Sequence, residues 1–165
     1  MKNFLELIPE VIELFNSEGY FLDHGMWDEW LDLFAADCEY WLPSWDTDTK
    51  LITNPQKEVS LIYYSDRTGL EDRVFRLRTG AVSSATPMSR TVHITGGIRI
   101  LAVSGPVLEV AASWACHWVW RKEFNTYAGH YEYTLERTND GLKIKRKKII
   151  LANDVIPRVL DFYHI

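Results

Sequence analysis

One segment of the second half of the chain alternates between two faces for longer than an ordinary strand. Within Val107–Arg121, every second position is apolar and often large: Val110, Ala112, Trp114, Cys116, Trp118 and Trp120. A period of two places these side chains on one face of a β-strand. Since a strand of this length in an antiparallel sheet usually curls, the segment predicts a long, curled strand with one apolar face.

Further strands are predicted on both sides of this segment. A strand that starts near Arg90 contains the pair Gly96-Gly97, which indicates a bulge or a sharp bend. Residues 129–137 and 142–151 also alternate, and Asn139-Asp140-Gly141 between them is typical of a hairpin turn. The second half of the chain is therefore predicted to contain four long antiparallel strands.

The N-terminal part has helical periodicity instead. Two apolar stripes recur at helical spacing, Ile8, Val11, Ile12 and Phe15 in the first and Trp27, Trp30, Leu31 and Phe34 in the second. Gly25 separates them, so we expect two helices joined by a short turn. A strand over Cys38–Leu42 and a long polar loop over Ser44–Lys57 follow.

A compact strand–helix unit connects the two halves. Ser60–Tyr64 alternates as a strand does, and Leu70, Val74 and Leu77 form one stripe of a short helix. Thr68 and Glu71 have the spacing of a capping box, and Gly80 occupies a position where a helix end favours positive φ. Helices followed by antiparallel strands predict an α+β fold, with residues 1–165 as one domain.

Charge is distributed unevenly along the chain. Residues 1–50 carry twelve acidic and two basic residues, whereas the rest carries eleven acidic and sixteen basic, and the total is −5. A basic stripe at Lys143–Lys148 dominates the second half. This asymmetry indicates docking to a partner or to another copy, or solvated faces, and the acidic total argues against nucleic acid.

The chain shows no sign of membrane insertion or export. No run of eighteen apolar residues is present, and the N-terminus lacks a basic start followed by an apolar core. Cys38 and Cys116 form no redox or metal motif. A cytoplasmic protein without a membrane segment is the simplest interpretation.

Four stretches together resemble the small (β) subunits of aromatic-ring-hydroxylating dioxygenases, closest to the branch that acts on benzoate, anthranilate and similar acids. They are Trp27–Trp45, Glu58–His93 with its YYSDRTGLEDRVFRLRTG and PMSRTVH runs, Gly129–Arg137 with GHYEYTLER, and the tail VIPRVLDFYHI. The resemblance covers nearly the whole chain. It implies a cone-like curved antiparallel sheet wrapped around the N-terminal helices, the fold of nuclear transport factor 2 and ketosteroid isomerase, also called cystatin-like.

The same resemblance implies a function in aromatic compound catabolism. In the family, three α and three β subunits form a hexamer. The large α subunit holds a Rieske 2Fe–2S cluster and mononuclear Fe(II), and it receives electrons from NADH through a reductase. The chain would then be a non-catalytic scaffold that binds the α subunit and associates as a trimer. We expect the interface to use the polar loop, the central helix, the loop that leads to Arg90, and the C-terminal strand and tail. The residues are Trp45, Arg73, Arg76, Arg90 and Tyr163.

The residues agree with a chain that holds no metal itself. A Rieske cluster needs two Cys and two His, and an isolated iron site needs two His and a carboxylate. The two cysteines and five histidines are scattered, and Cys116 and His117 point to opposite faces of a strand. We expect no cofactor in this chain.

Two other functions remain open from the residues alone. The fold also hosts isomerases and dehydratases that use an Asp, Tyr or His inside the cone, and the candidates here are Asp37, Tyr40, His93 and His117. A free homotrimeric small-molecule binder is the other. Fold by itself does not decide among them.

Overall fold

The computed structural model describes residues 4–82 and 85–165, and a curved sheet packed against helices dominates it. The helices are α1 (Phe4–Asp23), α2 (Trp27–Asp32), α3 (Thr68–Arg78) and a C-terminal 3-10 helix (Phe162–His164). The strands are β1 (Phe34–Leu42), β2 (Trp45–Thr47), β3 (Lys50–Leu51), β4 (Ile62–Tyr64), β5 (Arg90–Ser104), β6 (Val107–Trp120), β7 (Glu123–Thr138) and β8 (Gly141–Leu151). Within these ranges, no helix combines the length and apolarity needed to cross a bilayer.

Six strands form the main sheet in the order β4-β1-β8-β7-β6-β5, and β2 and β3 form a separate hairpin. Strands β5 to β8 are sequential antiparallel neighbours, as their alternation predicts. The sheet is not antiparallel throughout, because β1 pairs with β8 in parallel. This one parallel pair brings the N-terminal half beside the last strand, a contact that no local pattern predicts.

The inward face predicted for β6 is confirmed by burial. Val110, Trp114, Cys116 and Trp118 are each at most 4% exposed, whereas Trp120 at the end of the strand is only partly buried. The predicted irregularity in β5 is also present. The β5–β6 register shifts between Gly96 and Arg99, and Gly97 has φ 61°, a conformation that glycine adopts without steric cost.

The predicted boundary between α2 and β1 is wrong. The helix ends at Asp32, and Phe34 starts β1, so the strand is longer than the expected Cys38–Leu42. Phe34 pairs with Ile144 of β8, and the Ile144 N–H donates to the Leu33 carbonyl at 2.9 Å. The Phe34 ring still packs on Trp30, with centroids 5.0 Å apart, so helical spacing alone does not reveal that the helix has ended.

The central unit also differs in detail. Only Ile62–Tyr64 of the expected strand is paired, and the polar loop contains the β2–β3 hairpin. The capping box does not form, because the Thr68 N–H donates to Asp66 at 2.9 Å and Glu71 instead pairs with Arg67. Gly80 has φ 71°, as predicted for a helix end.

The charge asymmetry is largely neutralised inside the chain. Because β1 and α1 lie against β8, acidic residues of the first half meet the basic stripe: Asp37 pairs with Lys145, Glu39 with Arg146 and Glu18 with Lys147. Much of the charge that suggested docking to another molecule therefore holds the chain's own two halves together.

Candidate functional site

The centre of the cone contains a buried ion pair. Lys147 of β8 is 1% exposed, and its Nζ lies 2.6 Å from Oε1 of Glu18 on α1. The other carboxylate oxygen of Glu18 accepts a hydrogen bond from the Tyr133 hydroxyl at 2.6 Å. The Ile165 carbonyl lies 3.5 Å from the Lys147 ammonium group. Both charges are therefore compensated by partners from distant parts of the sequence.

Aromatic rings enclose this pair. The Lys147 ammonium group lies 4.4 Å from the ring centroid of Tyr131 and 5.7 Å from that of Tyr40. Burial lowers the pKa of Lys147, and the Glu18 carboxylate acts against that shift. Burial also raises the pKa of Tyr40, Tyr131 and Tyr133 well above the usual value. The hydroxyls thus stay protonated; that of Tyr133 donates to Glu18, whereas that of Tyr40 has no hydrogen-bond partner among the described residues.

The chain's own C-terminal residues fill the rest of the cone. Phe162, Tyr163, His164 and Ile165 are each at most 3% exposed. The Phe162 ring stacks on Trp30 with centroids 4.8 Å apart. Asp161, itself 3% exposed, pairs with Arg73 of α3 and accepts a hydrogen bond from the Phe162 N–H at 2.8 Å. These contacts fix the tail among the buried residues of the cone.

An Asp–His pair joins α1 to β5. Oδ1 of Asp23 lies 2.6 Å from His93 Nδ1 and accepts from the Thr91 hydroxyl at 2.9 Å, while Oδ2 accepts from the His93 N–H at 2.9 Å. Burial acts to raise the pKa of Asp23, but these hydrogen bonds outweigh it and the net pKa is lowered. The pair orients the His93 imidazole and attaches the end of α1 to the sheet.

The four candidates for a cone enzyme do not converge. Tyr40 is fully buried and His93 faces inward, but His117 lies on the outer face, where its Nδ1 is 2.8 Å from the Thr126 hydroxyl. Asp37 is exposed, and Lys145 beside it lowers the pKa of its carboxyl. A buried acid would instead need a raised pKa, so Asp37 and His117 do not join Tyr40 and His93 in one cavity, and the alternative cavity site stays a prediction.

The five predicted interface residues divide into two groups. Arg76 and Arg90 are exposed, and Trp45 is 40% exposed while its Nε1–H donates to the Leu151 carbonyl at 2.7 Å. Arg73 is used within the chain to hold Asp161. Tyr163 is only 1% exposed, so its position inside the cone does not fit a subunit surface. Arg76, Arg90 and Trp45 are therefore the three that a partner could contact.

Sequence reasoning missed Glu18, Lys147, Asp23 and Asp161. Lys147 lies in a basic stripe that is typical of a solvated face. A signal was nevertheless present, because counting back by two from Leu151 and Ile149 places Lys147 on their inward face. Nothing local marks Glu18 or Asp23, since their partners lie 129 and 70 positions away along the chain.

Neither iron group of the family fits the residues of this chain. In the described ranges, no three His, Cys, Asp or Glu side chains come together as a metal site. Cys38 and Cys116 are separate buried thiols, and burial raises the pKa of Cys38 to about 11. Thiolate is the form that binds metal, so burial acts against ligation by Cys38.

Comparisons with known proteins identify the relationship. The sequence model of the family described as "Ring hydroxylating beta subunit" matches residues 17–158. The 2-halobenzoate 1,2-dioxygenase small subunit of Burkholderia cepacia is 40% identical over 156 residues, which is 94% of each chain. The crystal structure of the β subunit of benzoate 1,2-dioxygenase from Burkholderia mallei superposes with a TM-score of 0.79, at 34% identity over 100% of both chains.

A more distant structure supports the fold alone. An NTF2-like protein with a cystatin-like fold from Novosphingobium aromaticivorans has a TM-score of 0.65 at 18% identity, over 92% of this chain and 85% of that one. The predicted cone-like α+β fold is therefore confirmed, with the parallel β1–β8 pair as its one correction. Both the fold and the family match establish that this chain belongs to the family of ring-hydroxylating β subunits.

Proposed function

We propose that this chain is the non-catalytic β subunit of a Rieske non-haem iron dioxygenase that cis-dihydroxylates an aromatic carboxylic acid, such as benzoate or anthranilate. The observation that carries the proposal is full-length similarity to small subunits named for benzoate and 2-halobenzoate dioxygenases. Both names denote aromatic acids. The protein acts in the cytoplasm, where NADH is available to the reductase.

The chemistry belongs to the partner in this proposal. The large α subunit supplies the Rieske 2Fe–2S cluster and the mononuclear Fe(II) that activate oxygen. Within the described ranges, no three His, Cys, Asp or Glu side chains come together as a metal site, and Lys147, Glu18 and the C-terminal residues are buried inside the cone. Its contribution is a rigid surface on which α subunits and further copies of itself assemble, as an α3β3 hexamer.

The rigidity of the cone supports a scaffold role. Buried ion pairs link α1 to β8 and α3 to the tail, and Asp23 joins α1 to β5. Each link fixes elements that are distant in sequence, so the outer surface has one defined shape. A subunit that positions others benefits from such a fixed surface because little ordering is needed on binding.

The test is to isolate the chain with its partners from its own cells under mild conditions. We expect iron and a second, larger chain in the sample, and NADH-dependent oxygen uptake with benzoate or anthranilate once the reductase is added. A sample with this chain alone, free of iron and without such uptake, would contradict the proposal. Oxygen uptake is also measured with toluene, which lacks the carboxylate. We expect no uptake with it, and this comparison tests the substrate class separately.

A further inference from the structure

The turn between β6 and β7 has an unusual backbone for its residues. Its two central residues are Arg121 and Lys122, with φ 46° and 74°. A two-residue hairpin with positive φ at both positions favours Asn and Gly, because larger side chains are strained there. The turn therefore places two residues with long cationic side chains in a backbone conformation that Asn and Gly adopt more easily. Strain of this kind is concentrated at binding sites.

Trp120 lies at the centre of a basic cluster at this end of the sheet. The Arg121 guanidinium lies 4.3 Å from the centroid of the Trp120 ring, and the Arg158 guanidinium of the tail also packs on that ring. The indole N–H donates to the Pro87 carbonyl at 2.9 Å. Contact with the indole restricts both guanidinium groups, so they are held in place before any partner binds.

The cluster is defined by Trp120, Arg121, Lys122 and Arg158, and its cations lack acidic partners. Throughout residues 4–82 and 85–165, none of the three forms an ion pair, although Glu123 and Asp154 are close along the chain. Other cations of the protein are used internally, as in the pairs Arg78–Asp28 and Arg137–Glu10. Positive charge therefore accumulates here on a chain whose total is −5.

The contact with Trp120 only partly satisfies the Arg158 guanidinium. Nη1 of Arg158 is buried and has no hydrogen-bond partner within the described part of the chain. A buried donor without an acceptor costs free energy, and a guanidinium matches the planar geometry of a carboxylate. Because Nη1 itself is covered, a carboxylate from outside the chain would bind the exposed side of the guanidinium of this half-buried residue.

We propose that this cluster is the docking site for a carboxylate-rich segment of a partner protein, which in the proposed assembly is the large subunit. The inference rests on the proposed function for the identity of the partner, and on charge complementarity for its chemistry. Arg90, predicted at the interface, lies near the site because its Cα pairs with that of Val119, next to Trp120. The segment carries Asp or Glu side chains that bind the guanidinium groups and Lys122.

The experiment uses the complex as purified, with a double variant that keeps the turn. Arg121→Asn with Lys122→Gly removes two positive charges and places favoured residues at both positive-φ positions, so the variant folds. We expect its complex to dissociate at concentrations about tenfold higher than the wild type at low ionic strength. The difference should disappear at high ionic strength, where exposed charges are screened. Mass photometry on a dilution series measures the dissociation of each complex at low and at high ionic strength.

Arg99→Glu is the matched control. Arg99 is exposed on β5 outside the cluster, and its reversal changes the net charge by the same amount as the double variant. We expect the complex with Arg99→Glu to dissociate over the same concentration range as the wild-type complex. Equal dissociation of the double variant and the wild type at low ionic strength overturns the inference, as does an equal effect of Arg99→Glu. If no larger chain copurifies with the wild type, the proposed function fails and the inference fails with it. If the complex forms and the double variant dissociates like the wild type, only the inference is overturned.

Discussion

Individual buried polar residues decide which elements of this protein meet. Glu18 and Lys147 are 4% and 1% exposed, and Asp161 is 3% exposed. A buried charge is tolerated only with a partner, so any packing that separates Glu18 from Lys147, or Asp161 from Arg73, is strongly disfavoured. Apolar residues alone would accept several registers of helix on sheet. These pairs select one.

Replacement of Lys147 by Met tests this. The Glu18 carboxylate would keep only the Tyr133 hydroxyl, and we expect the free energy of unfolding to fall by about 3–5 kcal/mol. Lys148→Met is the matched control, because Lys148 is the next residue and pairs with Glu132 at the outer face. Loss of that partly exposed pair should cost about 1 kcal/mol or less. Urea denaturation measures both, and equal losses would show that the buried pair has no special weight.

His164 should make stability depend on pH. Burial, with His93 and Arg158 adding to it, lowers the pKa of His164 from 6.5 to about 3. Between these values the unfolded chain binds a proton at His164 and the folded chain does not, so the free energy of unfolding falls as the pH falls. The contribution is about 1.4 kcal/mol per pH unit within that window.

The variant His164→Gln removes this contribution. Urea denaturation between about pH 4 and about pH 6 measures the free energy of unfolding at each pH. For the variant, its slope against pH should be smaller than that of the wild type by about 1.4 kcal/mol per pH unit. Carboxylates such as Asp23 contribute to the slope equally in both proteins. A slope that matches the wild type would mean that His164 is protonated in the folded protein. At neutral pH the two proteins differ only by the packing around position 164.

At the level of elements, the β6–β7 turn carries two positive charges at a cost in stability. Asn-Gly is the pair that positive φ at both positions favours, and the protein has Arg121-Lys122 instead. The change to Asn-Gly should raise the free energy of unfolding by about 1 kcal/mol or more. Differential scanning calorimetry of the isolated chain checks this, and a lower melting temperature would show that the two cations stabilise the turn.

The elements also show what a sequence can predict. The alternation of β6 and the bulge in β5 are local, and both predictions are confirmed. The start of β1 at Phe34 was missed because it is set by pairing with Ile144, 110 positions away. The pairing of Asp37 with Lys145 is likewise invisible locally, since Lys145 lies on β8. Contacts across the parallel β1–β8 pair leave no periodic signal in either segment.

For the molecule as a whole, we expect recognition of a partner at the outer surface. Buried side chains of the Lys147 network and of the tail occupy the interior, whereas the predicted interface residues Trp45, Arg76 and Arg90 are exposed. This distribution is the reverse of that in an enzyme, whose reactive groups face a cavity. It fits a family in which the small subunit supports a larger one.

Arg76→Glu tests the predicted surface of α3. Arg76 is exposed, so reversal of its charge should leave the free energy of unfolding within about 0.5 kcal/mol of the wild type. We expect weaker assembly with the partner at low protein concentration. Thermal melting of the chain and size-exclusion chromatography of the complex give the two quantities. An assembly that remains intact on dilution would place Arg76 outside the interface.

The mass of the native complex is the most direct test of the central claim. The chain should be isolated from its own cells with its partners bound, and its mass measured under non-denaturing conditions together with its iron content. We expect a complex that contains iron and equal numbers of this chain and one larger chain, three of each. A native mass that corresponds to this chain alone, as a monomer, dimer or trimer without iron, would contradict it.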